Sequence, residues 1–222
     1  MFTGLIQGLG TISLQANSQL KVYCPSCQFL KTVEIGDSIA VNGICLTVEI
    51  YDQQSFTVSV SPETISRSNL KSIAQAQALV NLEPALRVGD KVGGHFVSGH
   101  VDGVGTLTEI QELETSWELS FQAPPPVATY IVPKGSIAIN GISLTVASYD
   151  AIGSSFTVAV ISHTYQATNL QYLSVGAPVN LEADLLGKYA AKFQYPHLAP
   201  ESSPGRDHDL ITLEFLAEHG YG

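Results

Sequence analysis

Cysteine and histidine supply many of the nucleophiles, general bases and soft-metal ligands of proteins, and this 222-residue chain has three of the first and six of the second. Cys24-Pro-Ser-Cys27 has the CxxC spacing of zinc and redox motifs. Zinc takes four ligands, however, and no second CxxC or nearby CxxH exists, so a plain loop is the expectation. His95 and His100 are five apart, which on a regular strand sends them to opposite faces and prevents joint chelation of one ion. No metal site is expected. His163 reads as a substrate-side residue, and His197, His208 and His219 as solvent-facing members of the tail. The glycines of GGHFVSGHVDGVG (93–105) precede no helical pattern and do not make a dinucleotide fingerprint.

The more informative chemistry comes in matched pairs, because the chain repeats itself. Residues 38–48, SIAVNGICLTV, and 136–146, SIAINGISLTV, agree at nine of eleven positions. Residues 56–70 match 156–170 at seven of fifteen, and Val80-Asn-Leu-Glu83 recurs intact as Val179-Asn-Leu-Glu182. Gly4 to Thr11 faintly resembles Gly99 to Thr106, which sets the start of each unit. Two homologous modules follow, from Met1 to about Leu86 and from about His95 to Gly187, joined by the turn-rich RVGDKVGG. Within this frame Cys45 answers to Ser143, Glu63 to His163 and Ser61 to Ile161. One copy thus presents a thiol and a carboxylate where its twin presents a hydroxyl and an imidazole, so two similar ligands can be held and treated differently.

The elements that position these residues begin with Asn42-Gly43 and Asn140-Gly141, each flanked by alternating apolar residues, the strongest short-range hairpin signal. A two-residue loop sets Val41 opposite Ile44, Ala40 opposite Cys45, Ile39 opposite Leu46 and Ser38 opposite Thr47. One face collects Ile39, Val41, Ile44, Leu46 and Val48 as core. The other collects Ser38, Ala40, Cys45 and Thr47, and in the second module Ser136, Ala138, Ser143 and Thr145. These faces of small side chains read as an ordinary solvated sheet or, since they carry no Lys or Glu and leave room for something flat, as a ligand face, and both readings stay open. Phe56, Val58 and Val60 likewise point inward, with Thr57, Ser59 and Ser61 outward.

Composition agrees with strands and turns. Hydrophobic residues make up 45% and charged residues 14%, against roughly 25% charged in an average soluble domain, with 19 glycines and 11 prolines. A net charge of −10 repels phosphate backbones and anionic lipid, which argues against nucleic acid and membrane as partners. No apolar run nears the ~18 residues of a membrane span, and the start MFTGLIQGLG lacks a basic region before a hydrophobic stretch. Reduced thiols in a cytoplasmic compartment fit the odd number of cysteines. Beyond a breaker-rich segment, Asp207 to His219 has near-helical apolar spacing and reads as an amphipathic helix, for oligomerisation or for packing on its own barrel.

MFTGLI at the start, GDSIAVNGICLTV, PET followed by NL, VNLE, GGHFVSGHVDGVGT, PKGSIAINGISLTV, NLEADLLGKY and the ITLEFLAEHGY ending together resemble the trimeric riboflavin synthases. The resemblance implies an all-β fold of two tandem six-stranded Greek-key β-barrels (1–94 and 95–193) with a C-terminal tail and oligomerisation helix (194–222). It implies a transferase that dismutates two molecules of 6,7-dimethyl-8-ribityllumazine, passing a four-carbon unit between them to give riboflavin and 5-amino-6-ribitylaminouracil. No cofactor or metal is implied. Active sites in the family form between barrels of different chains of a homotrimer, and association with lumazine synthase is left open.

Carried over by residue, the resemblance links Ser38, Cys45 and His100 to catalysis. It links Gly4, Leu5, Ile6, Cys45, Leu46, Thr47, Ser59, Val60, Ser61, Pro62, Glu63, Thr64, Gly99, His100 and Val101 to lumazine contact. In the second copy the matching positions are Lys134, Ser143, Leu144, Thr145, Val160, Ile161, Ser162, His163, Thr164, Tyr165 and Asp184. His100, with a reference pKa of about 6.5, suits proton transfer; Cys45, Ser38 or a water is the candidate nucleophile. The chain departs from the family's usual pattern at Asn140, where Asp is common, at Ser162, where Pro is common, and at Ala76-Gln-Ala78, which replaces a Gly-Asp turn. Two other readings stay open: a non-catalytic lumazine- or flavin-binding antenna protein, and a structural tandem barrel.

Overall fold

The computed structural model describes residues 1–15, 18–150 and 154–194. In the first module β1 (Gly8–Leu14), β2 (Gln19–Tyr23), β3 (Ser38–Val41), β4 (Ile44–Tyr51), β5 (Ser55–Ser59) and β6 (Leu79–Pro84) close into a barrel in the order β1-β2-β5-β4-β3-β6. In the second, β7 (Gly103–Glu112), β8 (Ser116–Gln122), β9 (Ser136–Ile139), β10 (Ile142–Tyr149), β11 (Ser155–Ile161) and β12 (Pro178–Ala183) close in the same cyclic order. All pairings are antiparallel. Strands β3, β4 and β5 are hairpin-linked while β2 pairs with β5, the Greek-key arrangement. Closure removes the exposed sheet edges that an open six-stranded sheet would leave.

The hairpin register follows from the Asn-Gly turns. Ser38 pairs with Thr47, Ala40 with Cys45 and Val41 with Ile44; Ser136, Ala138 and Ile139 pair with Thr145, Ser143 and Ile142. Asn42 and Asn140 both take φ near +47°, the left-handed conformation that a type I′ turn demands. Alternation then turns Ile39, Val41, Ile44, Leu46 and Val48 into one core, and their counterparts into the other. Helices α1 (Pro62–Arg67), α2 (Leu70–Ala76), α3 (Pro125–Ala128) and α4 (Ser162–Ala167) fill the connections.

The two hairpin tips meet each other. A Cβ on Gly43 would stand 2.7 Å from the amide nitrogen of Gly141, and the reverse holds for Gly141. Around this contact six buried asparagines, three from each module, cross-link the barrels. Asn81 Nδ2 donates to the carbonyl of Asn140 and to Asn169 Oδ1, and its Oδ1 accepts from the Asn169 amide. Asn180 Nδ2 donates to the carbonyl of Asn42, and its Oδ1 accepts from the Asn69 amide. Residues 1–191 accordingly pack as one compact unit that contains both barrels.

This junction corrects one expectation. Ala40 and Ala138 do not face a ligand: both are buried, with Phe2 and Val97, in a small cluster contributed by the two modules. The outer hairpin face is therefore divided, its alanines sealing the junction and its hydroxyl and thiol residues remaining nearer solvent. After β12 the chain forms α5 (Leu185–Gln194), a helix that sequence periodicity did not anticipate. The helix expected over 207–219 lies outside the described residues.

Candidate functional site

Each barrel's outer hairpin face is completed by a segment from the other module. In the first barrel the Cys45 amide donates to the carbonyl of Gly99 at 2.9 Å. Gly99 has φ +83° and lies so close that a Cβ there would sit 2.6 Å from the Cβ of Cys45. In the second barrel the Ser143 amide donates to the carbonyl of Gly4, also at 2.9 Å. Gly4 has φ +76°, and a Cβ there would sit 2.5 Å from the Ser143 nitrogen. Val101 packs on the first core and Ile6 on the second, so the exchange is reciprocal.

The two glutamates of the repeated VNLE motif hold the crossing segments. Glu83 accepts from the Thr3 amide and hydroxyl, both at 2.7 Å, and from the Gly4 amide at 3.0 Å. Glu182 accepts from the Ser98 amide at 2.6 Å, its hydroxyl at 2.7 Å and the Gly99 amide at 2.9 Å. Three donors per carboxylate favour the charged form, but burial outweighs them and raises both pKa values.

Against the first barrel this construction leaves a cavity of about 270 Å³ that gathers seven of the expected residues: Cys45, Ser61, Glu63, Thr64, Gly99, His100 and Val101. Ser61 caps α1 by accepting from the Thr64 amide at 3.1 Å, which fixes the turn below Pro62. Glu63 pairs with Arg67 at 3.0 Å, an exposed ion pair of little energetic weight that turns both heads along the cavity rim. Thiol, imidazole and carboxylate thus line one space.

The second half-site is built differently. Ser143 Oγ is 2.7 Å from Nδ1 of His95, whose burial lowers its pKa while Asp184 pulls it the other way. Nε2 of His95 is buried without a partner among the described residues. Asp184 Oδ1 accepts from the Leu186 amide at 3.0 Å and so caps α5. Tyr165 stacks on Trp117 with ring centroids 3.9 Å apart. Lys134 takes φ +62° at the position where the first module has Gly36, the left-handed conformation that a side chain disfavours. Thr145, Ile161 and His163 are exposed, as are Thr47 and Ser59 in the first barrel; Ser162 Oγ donates to the Thr115 carbonyl and Thr164 is half-buried.

At some expected contact positions only the backbone is open to a ligand. Leu46, Val60, Leu144 and Val160 are buried in the barrel cores because strand alternation turns them inward, so their side chains reach no surface ligand. Ser38 does not share the Cys45 cavity. It lines a neighbouring cleft of about 760 Å³ together with Leu5, Glu83 and Lys91. His95 and His100 do separate, one to each half-site, and no group of three or more metal-ligating side chains exists among the described residues. His95 is the residue that sequence reasoning missed at Ser143, having been weighed only as a metal ligand. The asparagine junction was missed as well; the recurrence of Asn at 42/140, 69/169 and 81/180 is the signal that could have found it.

Comparison with known proteins matches the lumazine binding domain family to residues 3–85 and again to 98–184. The chain is 36% identical to riboflavin synthase of Bacillus subtilis strain 168 over 223 aligned residues, covering all of both chains. It is 39% identical to riboflavin synthase of Actinobacillus pleuropneumoniae over 224, again covering both completely. In structure it resembles LumP complexed with riboflavin (TM-score 0.72, 24% identity, 82% of this chain and 99% of that one). That likeness speaks to the fold. Among the described residues no helix is long and apolar enough to cross a membrane.

Proposed function

The chain belongs to the riboflavin synthase family, and on that premise we propose that it dismutates two molecules of 6,7-dimethyl-8-ribityllumazine to riboflavin and 5-amino-6-ribitylaminouracil, without a cofactor. The observation that carries the reading is the pair of related but chemically unequal half-sites, Cys45 with His100 and Glu63 on one barrel, Ser143 with His95 on the other. A dismutation needs the same molecule bound twice and treated in two ways. One lumazine must lose a proton from its C7 methyl while the other takes a nucleophile at C7. Holding the pair face to face makes the encounter effectively intramolecular, worth up to roughly 7–11 kcal/mol.

In this reading His100 moves the proton and Cys45, Ser38 or a water adds at C7, while Thr47, Ser61 and Thr64 in one half and Ser143, Thr145, Lys134 and Asp184 in the other bind the ligand. Active sites in the family form between barrels of different chains, and in this reading facing copies of a cytoplasmic homotrimer pair the two half-sites. The test is turnover and product binding in His100→Gln and Cys45→Ala. We expect His100→Gln to lower kcat by about 100-fold, the smaller end of general acid–base contributions, with riboflavin affinity little changed. Full turnover in His100→Gln overturns its role, and full turnover in Cys45→Ala leaves Ser38 or water as the nucleophile.

A further inference from the structure

Cys24 and Cys27 lie outside the half-sites, and neither takes part in the chemistry proposed above. Their surroundings are more specific than a loop requires. The Cys27 amide donates to the Cys24 carbonyl at 3.1 Å, closing a four-residue turn with Pro25 in its second position. Such a turn brings its end Cα atoms within about 7 Å, overlapping the roughly 4.4–6.8 Å range that a disulfide spans. Both thiols are buried and neither is in a disulfide, and Cys27 Sγ lies 4.0 Å from the Leu9 carbonyl oxygen, to which it donates. Gly8 leaves the space that Cys27 Sγ occupies, since a Cβ at Gly8 would stand 2.3 Å from that sulfur.

The pair is also unequal. The neighbouring Cys24 thiol lowers the pKa of Cys27, whereas the neighbouring Cys27 and burial raise that of Cys24. Cys27 is the member that lines an outer cavity of about 530 Å³, along with Pro25, Lys31, Tyr51 and Asp52; Cys24 does not. A buried structural cysteine is inert, but reactive ones combine thiolate character with access and a second thiol to resolve the adduct.

We propose that Cys24 and Cys27 are a redox-active dithiol, in which Cys27 attacks a small disulfide entering from this cavity and Cys24 resolves the adduct. In the first step the Cys27 thiolate forms an S–S bond to one sulfur of the small disulfide and expels the other as a thiolate. In the second, Cys24 gives its proton to solvent, attacks Cys27 Sγ and expels the remaining thiolate. The dithiol loses two electrons and two protons, and the small disulfide is reduced to two thiols.

The native, fully reduced chain should be treated with 5,5′-dithiobis(2-nitrobenzoate), the thiolate it releases followed by absorbance, and each cysteine mapped by peptide mass. The expected result is two thiolates released from this pair, no adduct retained on it, and a Cys24–Cys27 disulfide lighter by two hydrogens. Cys45 is read separately as its own adduct. A stable adduct on Cys27, or two thiols that stay free until denaturant is added, overturns the proposal. In Cys24→Ser the adduct on Cys27 should persist; if that variant does not fold, the wild-type mapping decides alone.

Discussion

Asparagines 81 and 180 occupy equivalent positions in the two modules, yet their side chains do unequal amounts of cross-linking, and this sets a quantitative prediction. Truncating Asn81 to Ala strips partners from the Asn140 carbonyl, Asn169 Oδ1 and the Asn169 amide. Truncating Asn180 strips the Asn42 carbonyl and the Asn69 amide. Both sites are almost fully buried, so the orphaned groups lose their bonds without regaining bulk water. At about 1–2 kcal/mol for each unsatisfied group, Asn81→Ala should cost about 3–6 kcal/mol and Asn180→Ala about 2–4. A water entering the small void would move both towards the lower end. The assay is urea unfolding of wild type and both variants, read from the midpoint at unchanged m. Asn81→Ala should be the less stable by about 1–2 kcal/mol, one extra orphan. Equal costs, or Asn180→Ala the more damaging, would refute the hydrogen-bond ledger of the junction.

Three further outcomes follow from the same geometry. Gly36→Ala has left-handed φ but open space around its Cβ, so it should cost about 1–2 kcal/mol in unfolding free energy. Gly99→Ala adds overlap with Cys45 and Phe2 and should cost about 1–3 kcal/mol more, with turnover falling alongside because the Cys45–His100 cavity is distorted. The buried His95 imidazole has a folded pKa below 6.5, so the unfolded chain takes up its proton first as pH falls. Stability of the wild type relative to His95→Gln should therefore decline as pH drops through 6.5 towards the lower folded value, measured by urea unfolding across that window.

The hairpins were legible in the sequence because Asn-Gly turns leave one register, and register alone assigns every side chain to a face. Cys45, Thr47, Ser143 and Thr145 come out on the outer face as the alternation demands. What alternation does not carry is which outer positions meet another part of the chain. Ala40 and Ala138 look like room for a ligand until Phe2 and Val97 are found on them. The reciprocal crossing of Gly4 and Gly99 was visible only as a faint likeness between two glycine-rich stretches, since periodicity has no information on partners a hundred residues away. His100 therefore reads as a residue of the second module although it serves the first barrel. Ser38 shows the same limit: it shares a strand face with Cys45 by pattern but opens into a different cleft.

Dismutation is measured by incubating the purified chain with 6,7-dimethyl-8-ribityllumazine alone and following substrate and riboflavin by absorbance. One riboflavin should form for every two lumazines consumed, with nothing else added. Tight binding of the lumazine with no riboflavin formed would contradict it.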